Sequence, residues 1–564
     1  QEFQEDYLWN MWPKFEQTLT FDRQFDMHQV TLLAGMSADR YGRGRTLTVY
    51  GTNLPNNNLK NIELAQDSQI NNEDIRESAG LSYFGRLNYS LANKYLLTAI
   101  IRRDGSDKFS PDYTWGTFPS VSAAWKLHEE GFIQNTIPAI SNLKLRGGWG
   151  VVGIDAIDAW QYLSLIHSVG MSYPVGLPGG ESLMPGATIK ALASPDIKWE
   201  EATTTNVGLD FGMWNNRLTM GVDYFTKETK DILVDVPTSP SMGLGLAGGN
   251  EGGNRIANAA TTINKGIELL LGYNNYSGDF KYGVSANFTY VTNEVTGLGE
   301  GEPIIGPTYN GQSHMTYTQI DYPIGAFYGY RVDKVYESET EVQNDNAAAA
   351  AATGDDVQYY QSDMTEEGDI RFKDLDNNGY IDDNDREVIG SPIPKYTYGL
   401  AFDAEWRGFD FSMNVSGIAD VEIYSAFYTW NLLGMRLTSN HLAEVNDRWT
   451  ENNRVTDMPR AIANDPNNNL RTSDRYIYDG SFLKVRNISL GYTLPASITN
   501  SVGVFSLRLF GTVQNALTIS DYIGYDPEVG SYNEAASGYN LGRGIDRGFV
   551  PNPRTFLFGV EVSF

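Results

Sequence analysis

The stretch "TYGLAFDAEWRGFDFSMNVSG" constrains the fold more than any other. Tyr398, Leu400, Phe402, Ala404 and Trp406 alternate with small or charged residues, and the chain turns at Arg407-Gly408. Phe409, Phe411, Met413 and Val415 then resume the apolar set, with Asp410, Ser412 and Asn414 opposite. A period of two on both sides of a tight turn is a β-hairpin with one apolar, aromatic face. "YFGRLNYSL" sets Tyr83, Leu87, Tyr89 and Leu91 against Arg86, Asn88 and Ser90. "RLTMGVDYF" sets Leu218, Met220, Val222 and Tyr224 against Thr219, Gly221 and Asp223. With similar runs near 95–101, 267–273, 507–513 and 556–564, the expectation is about 14 to 16 strands. Globular strands average ~5–6 residues, whereas ~9–11 cross a bilayer when tilted. Alternation alone also fits a soluble sandwich. The connections favour a barrel: some are two or three residues, others roughly 40–70, the asymmetry of outer-membrane barrels.

The chain ends "RTFLFGVEVSF", with Phe556, Phe558, Val560, Val562 and Phe564 on one face and Leu557, Gly559, Glu561 and Ser563 on the other. A final amphipathic strand closing on phenylalanine resembles the signal by which outer-membrane barrels are recognised for assembly. Glycine (57), tyrosine (34) and phenylalanine (25) are abundant, as all-β structure with many turns requires. No apolar run is long enough for a transmembrane helix.

Composition closes off several function classes. A net charge of −28 argues against a nucleic-acid partner, because phosphate binding needs a positive face. With no cysteine, thiol catalysis, thiolate zinc and disulfides are excluded. The five histidines (28, 128, 167, 314, 441) form no close pair, so a histidine metal or catalytic site is not expected. His128–Glu130 reads as a solvated turn, and no nucleophile elbow is present. Gly243–Gly253 lacks the lysine and the βαβ context of a phosphate loop. No enzymatic activity is expected.

One segment carries coordination chemistry. "DLDNNGYIDDND" places oxygen-bearing side chains at positions 1, 3, 5, 9 and 12 and glycine at 6, the spacing of a calcium loop. Asp374, Asp376, Asn378 and Asp382 would supply side-chain oxygens, Tyr380 its carbonyl, and Asp385 would close the site; Gly379 permits the turn. Aspartate at position 12 is shorter than the usual glutamate. The flanks "GDIRFK" and "REVIG" read as strand, so residues 369–386 form a calcium-loop-like insertion between strands. An Asx-rich solvated turn is the competing reading. Ala347–Ala352 reads as a loop or short helix of no assigned role.

Several segments in order resemble the SusC/RagA family of TonB-dependent outer-membrane transporters of Bacteroidota. They are "RRDGSDKFSPDYTWGTFPSVSAAWKLHEEGFI" (102–133), "LKLRGGWGVVG", "IKWEEATTTNVGLDFGMWNNRLTMGVDYFTKETKDIL", "NKGIELLLGY", the calcium-like stretch with "GSPIPKYTYGL", "YIYDGSFLKVRNISLGYTLP", "LRLFGTVQNALTISDYIGYDPEV" and the terminal strand. The resemblance implies an all-β, antiparallel transmembrane barrel of roughly 22 strands around an N-terminal plug. Residues 1–564 would be its C-terminal part, with long extracellular loops and the plug outside this chain. The opening "QEFQEDYLWNMW" looks like neither signal peptide nor domain start. A fragment, or one half of a split transporter, is therefore expected, with a second segment supplying plug and early barrel.

The implied function is active import of glycans or oligopeptides. The implied partners are a SusD-like surface lipoprotein as lid, TonB through the plug, and outer-membrane lipid. Calcium would be structural. Tyr162, Tyr309, Tyr424, Tyr428 and Trp430 are candidate ring-stacking contacts for substrate, each with loop packing as its alternative. A passive porin or protein-export channel, and a soluble calcium-binding, carbohydrate-binding β-protein, are the competing functions.

Overall fold

The alternating segments are antiparallel strands in the computed structural model. It describes all residues except 1, 10, 53–66, 168–171, 176–181, 186–187, 237–254, 300–302, 307–314, 355–357, 428–439 and 531–540. Sixteen strands of the described residues form one sheet. They are β1 (Glu2–Trp9), β2 (Lys14–Phe25), β3 (His28–Thr52), β4 (Asp67–Leu91), β5 (Tyr95–Ser106), β6 (Trp115–Lys126), β7 (Ile140–Ile154) and β8 (Glu200–Met213). There follow β9 (Leu218–Val236), β10 (Arg255–Asn275), β11 (Phe280–Leu298), β12 (Tyr396–Trp406), β13 (Phe409–Ala419), β14 (Phe482–Thr493), β15 (Ser506–Ser520) and β16 (Thr555–Ser563). Each pairs with its sequence neighbour from β3 onward, while β1 and β2 both pair with β3. No helix of the described residues is long and apolar enough to cross a membrane.

Two compact units divide the chain: 1–134, 144–207 and 227–261 in one, and 135–143, 208–226 and 262–564 in the other. In the first, register aligns the apolar faces of successive strands: Leu32 opposes Leu87, Leu87 opposes Ala99, and Ala99 opposes Val121. Phe109, Ile157 and Ile197 of the connections form a buried cluster with Leu233 of β9.

In the second unit the apolar face runs unbroken through six strands. Val284, Phe402, Met413, Ile488, Val513 and Phe556 form one row. Tyr282, Ala404, Phe411, Leu490, Gly511 and Phe558 form the next. Aromatic rings border the band: Phe280, Trp406, Phe409 and Tyr492 at the turn end, and Phe288, Tyr290, Tyr396 and Tyr398 at the other. Ten residues separate Tyr396 from Trp406 across β12, about 33 Å along the strand at ~3.3 Å per residue, which at a tilt of roughly 35–45° spans close to the ~25 Å apolar height of outer-membrane barrels. The opposite face is polar, with Arg508 donating to both carboxylate oxygens of Asp410 and Ser489 hydrogen-bonded to Thr512 at 2.9 Å. Leu490 is 55 % exposed and Phe558 83 %, so the apolar face is an outer surface rather than a core.

The buried core sits instead in the long connections. Glu422–Ser425 pairs antiparallel with Ile477–Asp479 and parallel with Ile545–Asp546, over a cluster of Met315, Phe327, Ile389, Tyr424, Tyr476 and Ile545. In the connection between β11 and β12 a lobe packs Val335, Ala349, Tyr360, Ile370, Phe372 and Ile381 together with Trp449 of the β13–β14 connection. The alanine run lies within a helix, α1 (Glu339–Thr353), which ends at Gly354 in the left-handed conformation.

Candidate functional site

The calcium-like segment joins the strand Ile370–Phe372 to the strand Arg386–Gly390 inside this lobe. Its side chains curl the backbone around themselves. Asp374 Oδ2 accepts from Gly379 N at 2.8 Å, Asp376 Oδ1 from Asn378 N at 3.0 Å and Asn378 Oδ1 from Tyr380 N at 3.0 Å. Asp382 Oδ1 accepts from Asn384 N at 2.7 Å. Asp385 is fully buried and takes Leu375 N and Asp382 N on its two oxygens, both at 2.7 Å. Gly379, at φ +96°, makes the turn that L side chains resist.

The carboxylates converge. One oxygen each from Asp374, Asp376 and Asp385 lie within 4.8 Å of one another. Asp374 Oδ1 is buried, yet no donor reaches it among the described residues. Burial first, then the nearby Asp374 and Asp376 charges, push the Asp385 carboxyl above its ordinary value. A buried acceptor without a donor, beside two like charges, is costly unless a cation answers it. Hard oxygen donors suit calcium, magnesium and manganese alike; the twelve-residue spacing with glycine at position 6 is that of a calcium loop, so the residues fit that group. Asn378 and Asp382 hydrogen-bond to each other at 3.3 Å at the edge of the cluster, and the Tyr380 ring packs on the lobe core.

Of the aromatic candidates, Tyr162 and Tyr424 lie among the described residues, and they belong to separate buried clusters. Tyr162 packs half-buried on the Phe109–Ile197 cluster. Tyr424 corrects the expectation of an accessible stacking ring. It is fully buried, its ring centroid 6.1 Å from that of Phe327 and 6.3 Å from that of Tyr476, because its strand is paired along both edges. Tyr309, Tyr428 and Trp430, and the Gly243–Gly253 stretch, lie outside the described residues.

Two polar clusters escaped the sequence reading. Asp369, fully buried, holds Arg460 through two hydrogen bonds of 2.8 and 2.9 Å. Lys484 on β14 meets Asp526 and Glu528, and Arg486 forks onto Glu528 at 2.8 and 2.7 Å. Arg486 foremost, with Lys484, holds the Glu528 carboxyl down at about 2 against the cost of burial. No motif spacing marks either set.

A two-faced antiparallel wall, bordered by aromatic rings and carrying long folded connections, is the wall of an outer-membrane β-barrel. Comparison with known proteins defines it further. Residues 2–365 match the model of the family described as TonB dependent receptor-like, beta-barrel, and the chain belongs to that family. Within it the chain is of the SusC/RagA type, a class of outer-membrane proteins. TonB-dependent receptor P3 of Formosa agariphila is 31 % identical over 97 % of this chain and 52 % of its own length. TonB-dependent receptor SusC of Bacteroides thetaiotaomicron is 32 % identical over 86 % of this chain and 44 % of its own. The chain thus spans about half the length of the curated relatives it matches. The RagAB peptide transporter structure superposes at TM-score 0.77 with 22 % identity, covering 100 % of this chain and 56 % of that one. These matches indicate no enzymatic family.

Proposed function

We propose that the chain is the barrel wall of an active outer-membrane importer of glycans or oligopeptides. It would work with a SusD-like lid lipoprotein and with TonB acting through a plug. The observation that carries this reading is the continuous apolar band with aromatic borders on a chain of the SusC/RagA type. The sheet edges support a completing partner. Among the described residues β16 is paired only to β15, and β1 and β2 only to β3. Unpaired backbone groups cost several kcal/mol each in lipid, so each edge needs a pairing strand there, which a completing segment would supply. Purification from outer membranes in mild detergent, with mass spectrometry of every polypeptide, tests the proposal. A stoichiometric lid lipoprotein together with a plug-bearing segment or parent chain is expected. Recovery of the chain alone, or from the soluble fraction, would overturn it.

We further propose that Asp374, Asp376 and Asp385, with Asn378, Asp382 and the Tyr380 carbonyl, hold a structural calcium ion. The donorless Asp374 Oδ1 supports this. Calcium titration of the wild type by calorimetry is expected to show one site. Asp385→Ala should weaken it by at least about 100-fold, since the substitution also frees Leu375 N and Asp382 N, a loss of ~2.7 kcal/mol or more. Equal binding by both proteins would sink the assignment.

A further inference from the structure

We propose that cation occupancy of the loop Asp374–Asp385 controls the docking of helix α1, so that loop and helix switch order together. The proposal rests on the calcium reading above.

The alanine run has an address in the fold. A Cβ placed on Gly379 would lie 2.7 Å from Cβ of Ala352 and 4.0 Å from Cα of Ala349. The glycine that permits the loop's turn is therefore also the floor on which α1 rests. Small side chains on the helix make that approach possible, and Ala349 is fully buried in it. Two polar routes run in parallel. Asn346 Oδ1 on α1 accepts from Tyr360 N at 2.9 Å, and Tyr360 O accepts from Ile381 N of the loop at 2.6 Å. Asp345 on α1 accepts from Arg371, three residues before the loop, at 2.6 and 3.3 Å.

The helix's other anchors are polar and sit on its N-terminal half: Tyr336 donates to Asp345 at 2.7 Å, Lys334 to Glu341 at 2.7 Å, and Glu339 N to Glu367 at 3.0 Å, so the C-terminal half, with the alanine run, rests chiefly on the loop. Only Val342 and Ala349 of its fifteen residues are buried, and Ser338 provides no side-chain cap. A helix of this length is marginal in water unless tertiary contacts anchor it. Its floor is in turn a loop whose carboxylate oxygens crowd within 4.8 Å and repel one another until a cation neutralises them. The loop is ordered by charge compensation, and α1 is ordered by the loop. Linkage makes the relation reciprocal: whatever undocks α1 weakens the cation by the same factor.

Hydrogen exchange on the detergent-purified protein from outer membranes tests this, compared in chelator and in calcium at about one hundred times its dissociation constant. Exchange across 339–353 is expected to slow by up to about 100-fold on calcium addition, the full linkage at that excess, while the strands β12 to β15 stay unchanged. Ala352→Leu, which touches no ligand, should weaken calcium severalfold in calorimetry. Asn346→Ala should do so through the second route if the leucine variant fails to fold. Calcium binding with unaltered exchange in α1 would overturn the coupling and leave the metal site standing. No calcium binding would overturn both.

Discussion

Asp369→Ala is expected to destabilise the connection lobe by about 3–5 kcal/mol, the usual result of leaving one member of a buried ion pair behind. Asp369 has no exposed surface, and the Arg460 side chain is 13 % exposed. Besides Arg460, Asp369 accepts from Asn469 Nδ2 at 3.0 Å and from Glu366 N at 2.9 Å. Asn469 in turn holds Ile370 N at 2.8 Å and Asn467 Nδ2 at 2.8 Å, and Asn467 takes Thr365 Oγ1 at 2.6 Å. This network ties the segment before the Asp374–Asp385 loop to residues nearly a hundred positions later. Alanine takes two of the three carboxylate contacts from the Arg460 guanidinium, leaving it only the exposed Glu366, and strands the Asn469 amide at once. Removing both charges by Asp369→Leu with Arg460→Met should recover part of the loss, because two absent partners cost less than one orphan. Denaturant unfolding in detergent, followed by limited proteolysis of the lobe, measures both. A single variant as stable as wild type would show that water already solvates the pair.

The hairpin 397–417 was legible because its physics is local. Leu400 opposes Val415 and Phe402 opposes Met413, as alternation demands, and the turn at Arg407 and Gly408 has φ of 48° and 90°, the mirror-image turn that suits twisted strands. The convergence of Asp374, Asp376 and Asp385 was legible for a similar reason: the three carboxylates lie within twelve consecutive positions. Strand length was less so. β3 and β4 run 25 residues each, and stretches such as "DSQINNEDIRES" carry no apolar face; a strand continuing past the lipid into water has no reason to alternate. For Tyr424 the sequence leaves ring stacking and loop packing both open, and packing holds because that connection builds its own sheet and core. The Asp369–Arg460 pair and the floor under α1 each join segments far apart in sequence, and one residue of a distant pair leaves no mark without the other.

Leu490→Arg separates a wall in lipid from a wall in water. Leu490 is half exposed, on an interior strand flanked by β13 and β15, one row from the middle of the apolar band. Nothing packs over it within the described residues closely enough to bury it, so an arginine there meets no steric barrier, and in water the change would cost within about 0.5 kcal/mol, as at ordinary surfaces. In a bilayer an arginine near the midplane of a barrel costs about 2–4 kcal/mol, and a position one row off centre is expected to cost about 2 kcal/mol. Gln514→Arg, exposed on the opposite face, where it pairs in register with Asn487 and Thr555, is the matched control and should be nearly neutral. Urea unfolding from lipid vesicles reads the difference directly. A costly Leu490→Arg beside a neutral Gln514→Arg places lipid on the apolar face and the polar face inward. Equal, small effects at both positions would mean that the apolar band faces water, and the barrel wall on which the importer depends would fall with it.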